Sequence, residues 1–247
     1  MYFSGYLKCG KATTKTDQNM TIFQFLKVVR KTFLTPLKVR KSYSQCAEDL
    51  IVDDLLKSSI KSGADGFYVD VGCHHPKRGS NTYRLYKSGW RGILVDMEDD
   101  KVLAAKLARP RDIVVKAAVS DKEEKVNIFS PSAFSTNATI SNEVYRNNTN
   151  YKPTSSIVTK RLDKILRDNG CPQKIDFMSI DAEGNDFKVL KSFSLDEFQP
   201  QVICVENHCV QGGVDKLLSS AIHKLLSTKA YSLCGISGPS TIYKSAS

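Results

Sequence analysis

From residue 43 onward the chain alternates short apolar runs with segments of helical periodicity, and this constrains the fold more than any other feature. "FYVDVG" (67–72) reads as a buried strand, and "TYRLYKS" (82–88) as a short helix stopped by Gly89. "RGILVDM" (91–97) is a second strand, and "DKVLAAKLA" (100–108) a second helix that ends before Pro110. "DIVVKAAVS" (112–120) and "EKVNIFS" (124–130) continue as strands. The alternation resumes with a helix in "RLDKILRD" (161–168), a strand in "IDFMSID" (175–181), a helix in "NDFKVLKSF" and a strand in "QVICVEN" (201–207). Helices are also predicted over 46–61 and 214–228. Such alternation implies a parallel sheet with helices on both faces. The tail segments "YSLCGIS" and "STIYKS", around Gly238-Pro239, lie too close for a crossover helix, so they pair antiparallel. Residues 131–156 break the pattern. Ser, Thr and Asn dominate there, which predicts a long functional loop.

With 247 residues, 41% of them hydrophobic, the chain suits one large α/β domain. No run reaches the 18 or more apolar residues of a membrane span. The first residues lack the apolar core of a secretory signal, which leads to the expectation of a cytoplasmic protein. Seven cysteines, an odd number with no C-x-x-C pair, read as reduced thiols. Asn137-Ala-Thr139 and Asn147-Asn-Thr149 match glycosylation acceptors but carry little weight without a secretory signal. The net charge of +10 is uneven. Residues 1–42 hold nine Lys/Arg against Asp17 alone, while the other 205 residues carry only +2. Residues 1–40 therefore form a basic N-terminal extension, and 41–247 the main domain. The stretch "MTIFQFLKVVRKTFL" (20–34) has the pattern of a basic amphipathic helix, with Ile22, Phe23, Leu26, Val29 and Phe33 roughly on one face. Peripheral contact with a membrane surface through this arm is one expectation; packing on its own domain is another.

In an open α/β sheet, ligands bind beyond the carboxyl ends of the strands. Those ends carry Asp70 with Gly72, Asp96, Ala118 to Ser120, Asp181 with Glu183, and Glu206 with His208. Five carboxylates on four strand tips exceed what a core needs. Gly72 lets a ligand approach the backbone. Asp96, 24 residues beyond Gly72, suits both hydroxyls of an adenosine ribose. A dinucleotide site wants G-x-G-x-x-G, so that backbone amides cradle a pyrophosphate. Here the loop is Gly72-Cys-His-His-Pro-Lys-Arg-Gly79, and His74 stands in the second glycine's place. Asp70 would repel phosphate and suits an amino group. The pattern favours a phosphate-free adenosyl ligand. With four histidines and no H-x-x-x-H pair, a His-bound zinc is a poor fit. One of His74 and His75 is expected to line the pocket, the other to pack or face solvent. Trp90 is expected to fill a gap between helix and strand.

Four blocks carry a family resemblance: "YSQCAEDL" (43–50), "YVDVGCHHPKRGSNTYRLYKSGWRGILVD" (68–96), "RPRDIVVKAAVSDKEEKV" (109–126) and "IDFMSIDAEGNDFKVL" (175–190). Together, in this order, they resemble the FkbM-type S-adenosylmethionine-dependent methyltransferases over roughly residues 41–210. The resemblance implies a Rossmann-like class I methyltransferase fold: seven mostly parallel strands in the order 3-2-1-4-5-7-6, with helices on both faces. It implies S-adenosyl-L-methionine as cofactor, bound by Asp70, Gly72 and the loop through His74, with Asp96 on the ribose. Ala118 and Ser120 would border the adenine, while Gln45, Asp49, Ser80 and Thr82 would lie near the methionine end. The family's usual Gly-Ala is Gly72-Cys73 here. Residues 1–40 lie outside the resemblance.

Such enzymes typically O-methylate hydroxyls, often on sugars, so a carbohydrate or glycoconjugate acceptor is expected. A sugar hydroxyl needs a base. Asp181 is the first candidate, with Glu183 and His208 behind it. The other route is Mg²⁺ held by Asp181, Glu183 and Glu206, which would acidify the hydroxyl. The 131–156 segment would close over the site and recognise the acceptor, with Tyr145 and Tyr151 as sugar-stacking faces. Two rival functions remain open at this stage. RNA ribose methylation is disfavoured by the near-neutral body, which lacks a stripe of Arg with interleaved aromatics. A non-catalytic glycan- or partner-binding module on the same fold would bind no S-adenosylmethionine. A nicotinamide dehydrogenase ranks last, for its missing glycines.

Overall fold

The alternating segments assemble into one twisted sheet. In a computed structural model of the chain, the residues described are 21–34, 39–61, 65–131 and 138–246. Lys8, Lys11, Lys15 and Lys38 of the basic arm, and Asn137, lie outside them. Two units separate, Met1–Arg40 and Lys41–Ser247.

The first unit contributes helix α1 (Ile22–Phe33). Thr21 caps it by accepting from the Gln24 amide at 3.3 Å, and the Gln24 side chain accepts from the Thr21 amide at 2.9 Å. None of its residues is buried.

In the second unit, α2 (Glu48–Leu55) and α3 (Lys57–Lys61) precede the sheet, where one helix over 46–61 was expected. The sheet is built from β1 (Phe67–Val71), β2 (Arg91–Asp96), β3 (Ile113–Lys116), β6 (Lys174–Ile180), β7 (Gln199–Glu206), β8 (Tyr231–Ser237) and β9 (Ser240–Ser245), in the order β3-β2-β1-β6-β7-β9-β8. Counted along the chain within this sheet, the order is 3-2-1-4-5-7-6. The first five strands run parallel, and β9 is antiparallel to both its neighbours. The order reverses between β1 and β6, which opens a crevice at their carboxyl ends.

Alternating residues of each central strand feed opposite layers. Val69, Val71, Ile93 and Val95 pack toward α7 (Leu162–Asp168), α8 (Asp186–Lys191) and α10 (Ala221–Thr228), through Leu162, Leu166, Val189 and Leu226. On the other face Tyr68, Leu94, Phe177 and Val202 meet Val52 of α2, Leu85 of α4 (Tyr83–Lys87) and Ala105 of α5 (Asp99–Ala108). Trp90 is buried in this second layer against Gly66 and does not line the cavity described below.

Four further sequence expectations need correction. The strand over 124–130 does not join the main sheet. As β4 (Lys125–Ser130) it pairs antiparallel with β5 (Lys152–Val158), and helix α6 (Asn142–Asn147) lies between them. Much of the supposed loop 131–156 is thus a hairpin with a helix, while residues 132–137 lie outside the described set. The strand over 112–120 ends at Lys116. The helix over 214–228 is broken at Ser220 into α9 (Val214–Ser219) and α10. There the Ser220 hydroxyl accepts from the His223 amide at 3.2 Å and starts the second helix afresh.

Candidate active site

A cavity of about 560 Å³ opens at the carboxyl ends of β1, β2 and β6. Gly72 forms its inner corner. Its φ of +79° is left-handed, and a Cβ there would stand 1.7 Å from the Asp181 carbonyl oxygen. The amides of Gly72 and Cys73 both donate to the Val95 carbonyl, at 2.9 and 3.2 Å, tying the loop to β2. Asp96 is buried but lines the cavity. Its two oxygens accept from the His74 amide (2.9 Å) and the Glu98 amide (3.1 Å), which fixes the carboxylate while leaving lone pairs toward the cavity. Val95, Met97 and Ala118 supply an apolar wall beside it, and Gln45 also lines the space.

Both adjacent histidines line the cavity. His74 has a left-handed φ of +44°, and its buried Nδ1 has no partner. Burial, then Lys101, lower its pKa, so the ring is neutral near pH 7. His75 Nδ1 accepts from the amides of Lys77 (3.1 Å) and Arg78 (3.0 Å) and closes the turn.

Several expected cofactor residues lie outside the cavity lining. Asp70 is buried beneath it, accepting from the Thr82 hydroxyl at 2.5 Å; burial raises its pKa to about 6, although Arg109 opposes the rise. Thr82 in turn accepts from Arg109 Nη1 at 2.9 Å, with Ser80 at 3.4 Å. Arg109 is fully buried, paired to Asp112 at 2.7 Å between the rings of Tyr68 and Tyr86. Asp49 accepts from the Ser42 and Ser44 hydroxyls (2.6 and 2.8 Å) and the Tyr43 amide (2.9 Å). These residues shape the cavity from behind: Asp49 holds the segment that delivers Gln45, while Arg109, Thr82 and Asp70 hold the loop that follows Gly72. Ser120 is buried beside a smaller neighbouring pocket of about 180 Å³. His208 is exposed, 3.5 Å from Glu206 Oε2, and is not part of the cavity lining.

The acids after β6 and β7 converge. Asp181, Asp186 and Glu206 offer oxygens within 4.8 Å of one another. Glu183, expected to join Asp181 and Glu206 around Mg²⁺, is not in that trio; Asp186 takes its place. Asp186 is committed elsewhere, accepting from the Ala182 amide (2.8 Å) and the Gly184 amide (3.2 Å) to close the turn before α8. The side chains of Asp181 and Glu206 hydrogen-bond each other, and burial pushes both pKa values up. Glu206 is driven up to about 9, because the Asp181 charge adds to its burial, so Glu206 is the member that keeps its proton at neutral pH. Asp181 Oδ1 is buried and without a partner. Glu183 lines the cavity at a left-handed φ of +48°, and burial followed by the Asp181 charge raises it to about 7.

The β4–β5 excursion closes one side. Ala138 and Ile140 line the cavity, and Thr139 latches it: its amide and carbonyl pair with Phe129, and its hydroxyl donates to the Glu183 carbonyl at 2.7 Å. Tyr145 stacks on Phe129 with centroids 4.1 Å apart, so that face is already occupied. Tyr151 lies near enough to Glu183 for its charge to raise the phenol, after burial. Sequence reasoning missed Asp186, Asn185, Lys101 and Arg109. Three acids in the six residues "DAEGND" signalled the first; nothing local marked Arg109.

The raised acids make stability pH-dependent. Asp70 near 6 and Asp186 near 7 are fully buried and would ionise near 4 in the unfolded chain. Their neutral forms favour folding fully below about pH 4, and that contribution is lost as pH rises through 6–7. The melting temperature of the ligand-free protein is expected to fall by about 5–10 °C between pH 5 and pH 8. A flat or rising curve from differential scanning fluorimetry would refute these burial-raised acids.

A seven-stranded sheet of this order, with its cavity at the strand tips and an acid on the second strand, defines the class I S-adenosylmethionine-dependent methyltransferase fold. The family model described as "Methyltransferase FkbM domain" matches residues 70–231. The chain belongs to the FkbM methyltransferase family. No curated protein matches it. Among solved structures it is similar to an O-methyltransferase from Bacillus cereus in complex with SAH, at 12% identity and a TM-score of 0.46, covering 88% of this chain and 94% of that one. It is similar also to the methyltransferase domain of bacterial CtHen1 (15%, TM-score 0.38, 81% and 100%) and to a putative caffeoyl-CoA O-methyltransferase from Staphylococcus aureus (11%, 0.36, 91% and 93%).

Proposed function

We propose that this methyltransferase transfers its methyl group to a hydroxyl, with a sugar of a glycan or glycoconjugate as acceptor and Asp181 as the base. The observation that carries the reading is Asp181 Oδ1. It is a buried carboxyl oxygen with no partner, on a strand tip that lines the cavity, beside a Glu206 that stays protonated at neutral pH. The residues fit an adenosyl cofactor: Asp96 faces the cavity next to Val95, Met97 and Ala118, with Gly72 at its inner corner. S-adenosylmethionine, when bound, supplies an activated methyl group. Asp96 would accept the ribose hydroxyls, and Gly72, whose missing Cβ leaves room for the Asp181 carbonyl, holds the strand tip beside it. Asp181 accepts the acceptor's proton, and Glu206 stays neutral and orients it. The walls of the cavity align the acceptor and exclude water, an effect worth about 7–11 kcal/mol in well-oriented reactions.

Asp96→Ala is expected to weaken S-adenosylmethionine binding by about 10²-fold or more, since two charge-assisted hydrogen bonds of roughly 1.5–3 kcal/mol each are lost. Calorimetric titration measures it, and an unchanged Kd would move the ribose elsewhere. The functional test is methyl transfer from labelled S-adenosylmethionine to a panel of neutral and acidic glycans, with RNA alongside. Label appearing in RNA and in no glycan would overturn the sugar assignment. Cofactor binding without transfer to any hydroxyl-bearing acceptor would remove the oxygen chemistry.

A further inference from the structure

Helix α1 belongs to the first unit, and its sequence is strongly organised. It is a capped helix of 12 residues, and its apolar side chains are left open: Ile22 is 80% exposed, Phe23 78%, Leu26 58% and Phe33 77%. At 100° per residue, Ile22, Phe25, Leu26, Val29 and Phe33 fall on one face, and Lys27 and Lys31 on the opposite one, with Arg30 at the flank. Asp17 and Glu48 bracket a run of thirty residues without a single acid. An exposed Phe and Leu face is costly in water, at about 25 cal/mol per Å². Cations clear of any acid set the sign of the surface that relieves this cost.

We propose that α1 is an interfacial helix that seats this enzyme on an anionic lipid bilayer. Phe25, Leu26, Val29 and Phe33 enter the boundary between headgroups and acyl chains. Lys27, Arg30 and Lys31 meet the lipid phosphates and carboxylates. Two features favour lipid over a protein groove. Arg30 flanks the apolar face while Lys27 and Lys31 lie on the polar side, an amphipathic division suited to an interface, and the charge has one sign throughout the segment. At 12 residues, with three cations among them, α1 lies along a membrane and does not cross one; no helix among the described residues is long and apolar enough to span. The inference is independent of which acceptor is methylated.

The test is flotation of the full chain with vesicles of phosphatidylcholine alone or with about a third phosphatidylserine. Binding is expected to the anionic vesicles, at least about tenfold tighter than to the neutral ones, and to weaken at 0.5 M salt. Phe25→Asp with Phe33→Asp is expected to abolish it. Lys27→Glu with Lys31→Glu is expected to weaken it by at least about tenfold. Both pairs are exposed, so an unchanged melting temperature verifies folding. Equal binding by variants and parent would overturn the proposal. So would failure of the parent to float at low salt, or a parent that self-associates in sedimentation while the Phe variant does not, since that assigns the face to a second copy.

Discussion

Asp181→Asn is expected to lower kcat by about 10²–10⁴-fold while leaving the Kd for S-adenosylmethionine within about twofold. Asparagine preserves the side chain's shape, and the backbone bond from the residue 181 amide to the Val71 carbonyl (2.9 Å) is untouched, so the strand tip stays in place. The amide oxygen still accepts from neutral Glu206. Only proton acceptance is lost, and it belongs to the chemical step. A bound-cofactor titration beside steady-state kinetics separates the two quantities. Near-wild-type turnover would transfer the base role to Glu183, whose own substitution, Glu183→Gln, would then carry the large effect. The wild-type kcat is expected to rise with pH over the range in which Asp181 ionises, because burial raises that carboxyl. The Asp181→Asn variant loses that limb.

Gly72→Ala is the most damaging single-methyl change expected in the domain. The added Cβ would sit 1.7 Å from the Asp181 carbonyl oxygen, on a residue whose φ is +79°. The backbone term alone costs about 1–2 kcal/mol. The clash is with backbone, so β6 must shift from β1, straining the Asp181-to-Val71 bond and the Gly72-to-Val95 bond (both 2.9 Å). A total of about 4 kcal/mol or more is expected, a melting-temperature fall on the order of 10 °C, together with loss of cofactor binding. Gly79→Ala supplies the control. That glycine is also left-handed, at φ +66°, but no atom lies within 4 Å of the added methyl, so only about 1–2 kcal/mol is at stake. Equal losses in the two variants would show that backbone conformation alone governs Gly72.

The sheet was legible because its central strands are buried on both faces and so read as continuous apolar runs, as in "FYVDV" and "GILVD". Gly72 and Asp96 were legible because a strand tip states its own position. Strand β5 was not: all but one of its seven residues are exposed, so no apolar period marks it, and twenty-one residues of polar stretch separate it from its partner β4. Asp70 was placed in the ligand's wall because its neighbours along the chain fit that reading. Its actual surroundings, Thr82 and the buried Arg109, come from two other segments, and the sequence does not encode those contacts locally. Asp186 displaced Glu183 from the acid trio for a similar reason. Glu183 occupies a left-handed turn residue that swings its side chain toward the cavity, while Asp186, at the start of α8, points back at the turn's amides.

The Thr139 latch joins two separately built parts. The β4–β5 hairpin is a two-stranded sheet of its own, outside the main sheet, whereas the turn after β6 continues a core strand. One hydroxyl couples the hairpin to the carbonyl of an acid that lines the cavity, so a shift of the hairpin would be felt at the backbone that carries Glu183.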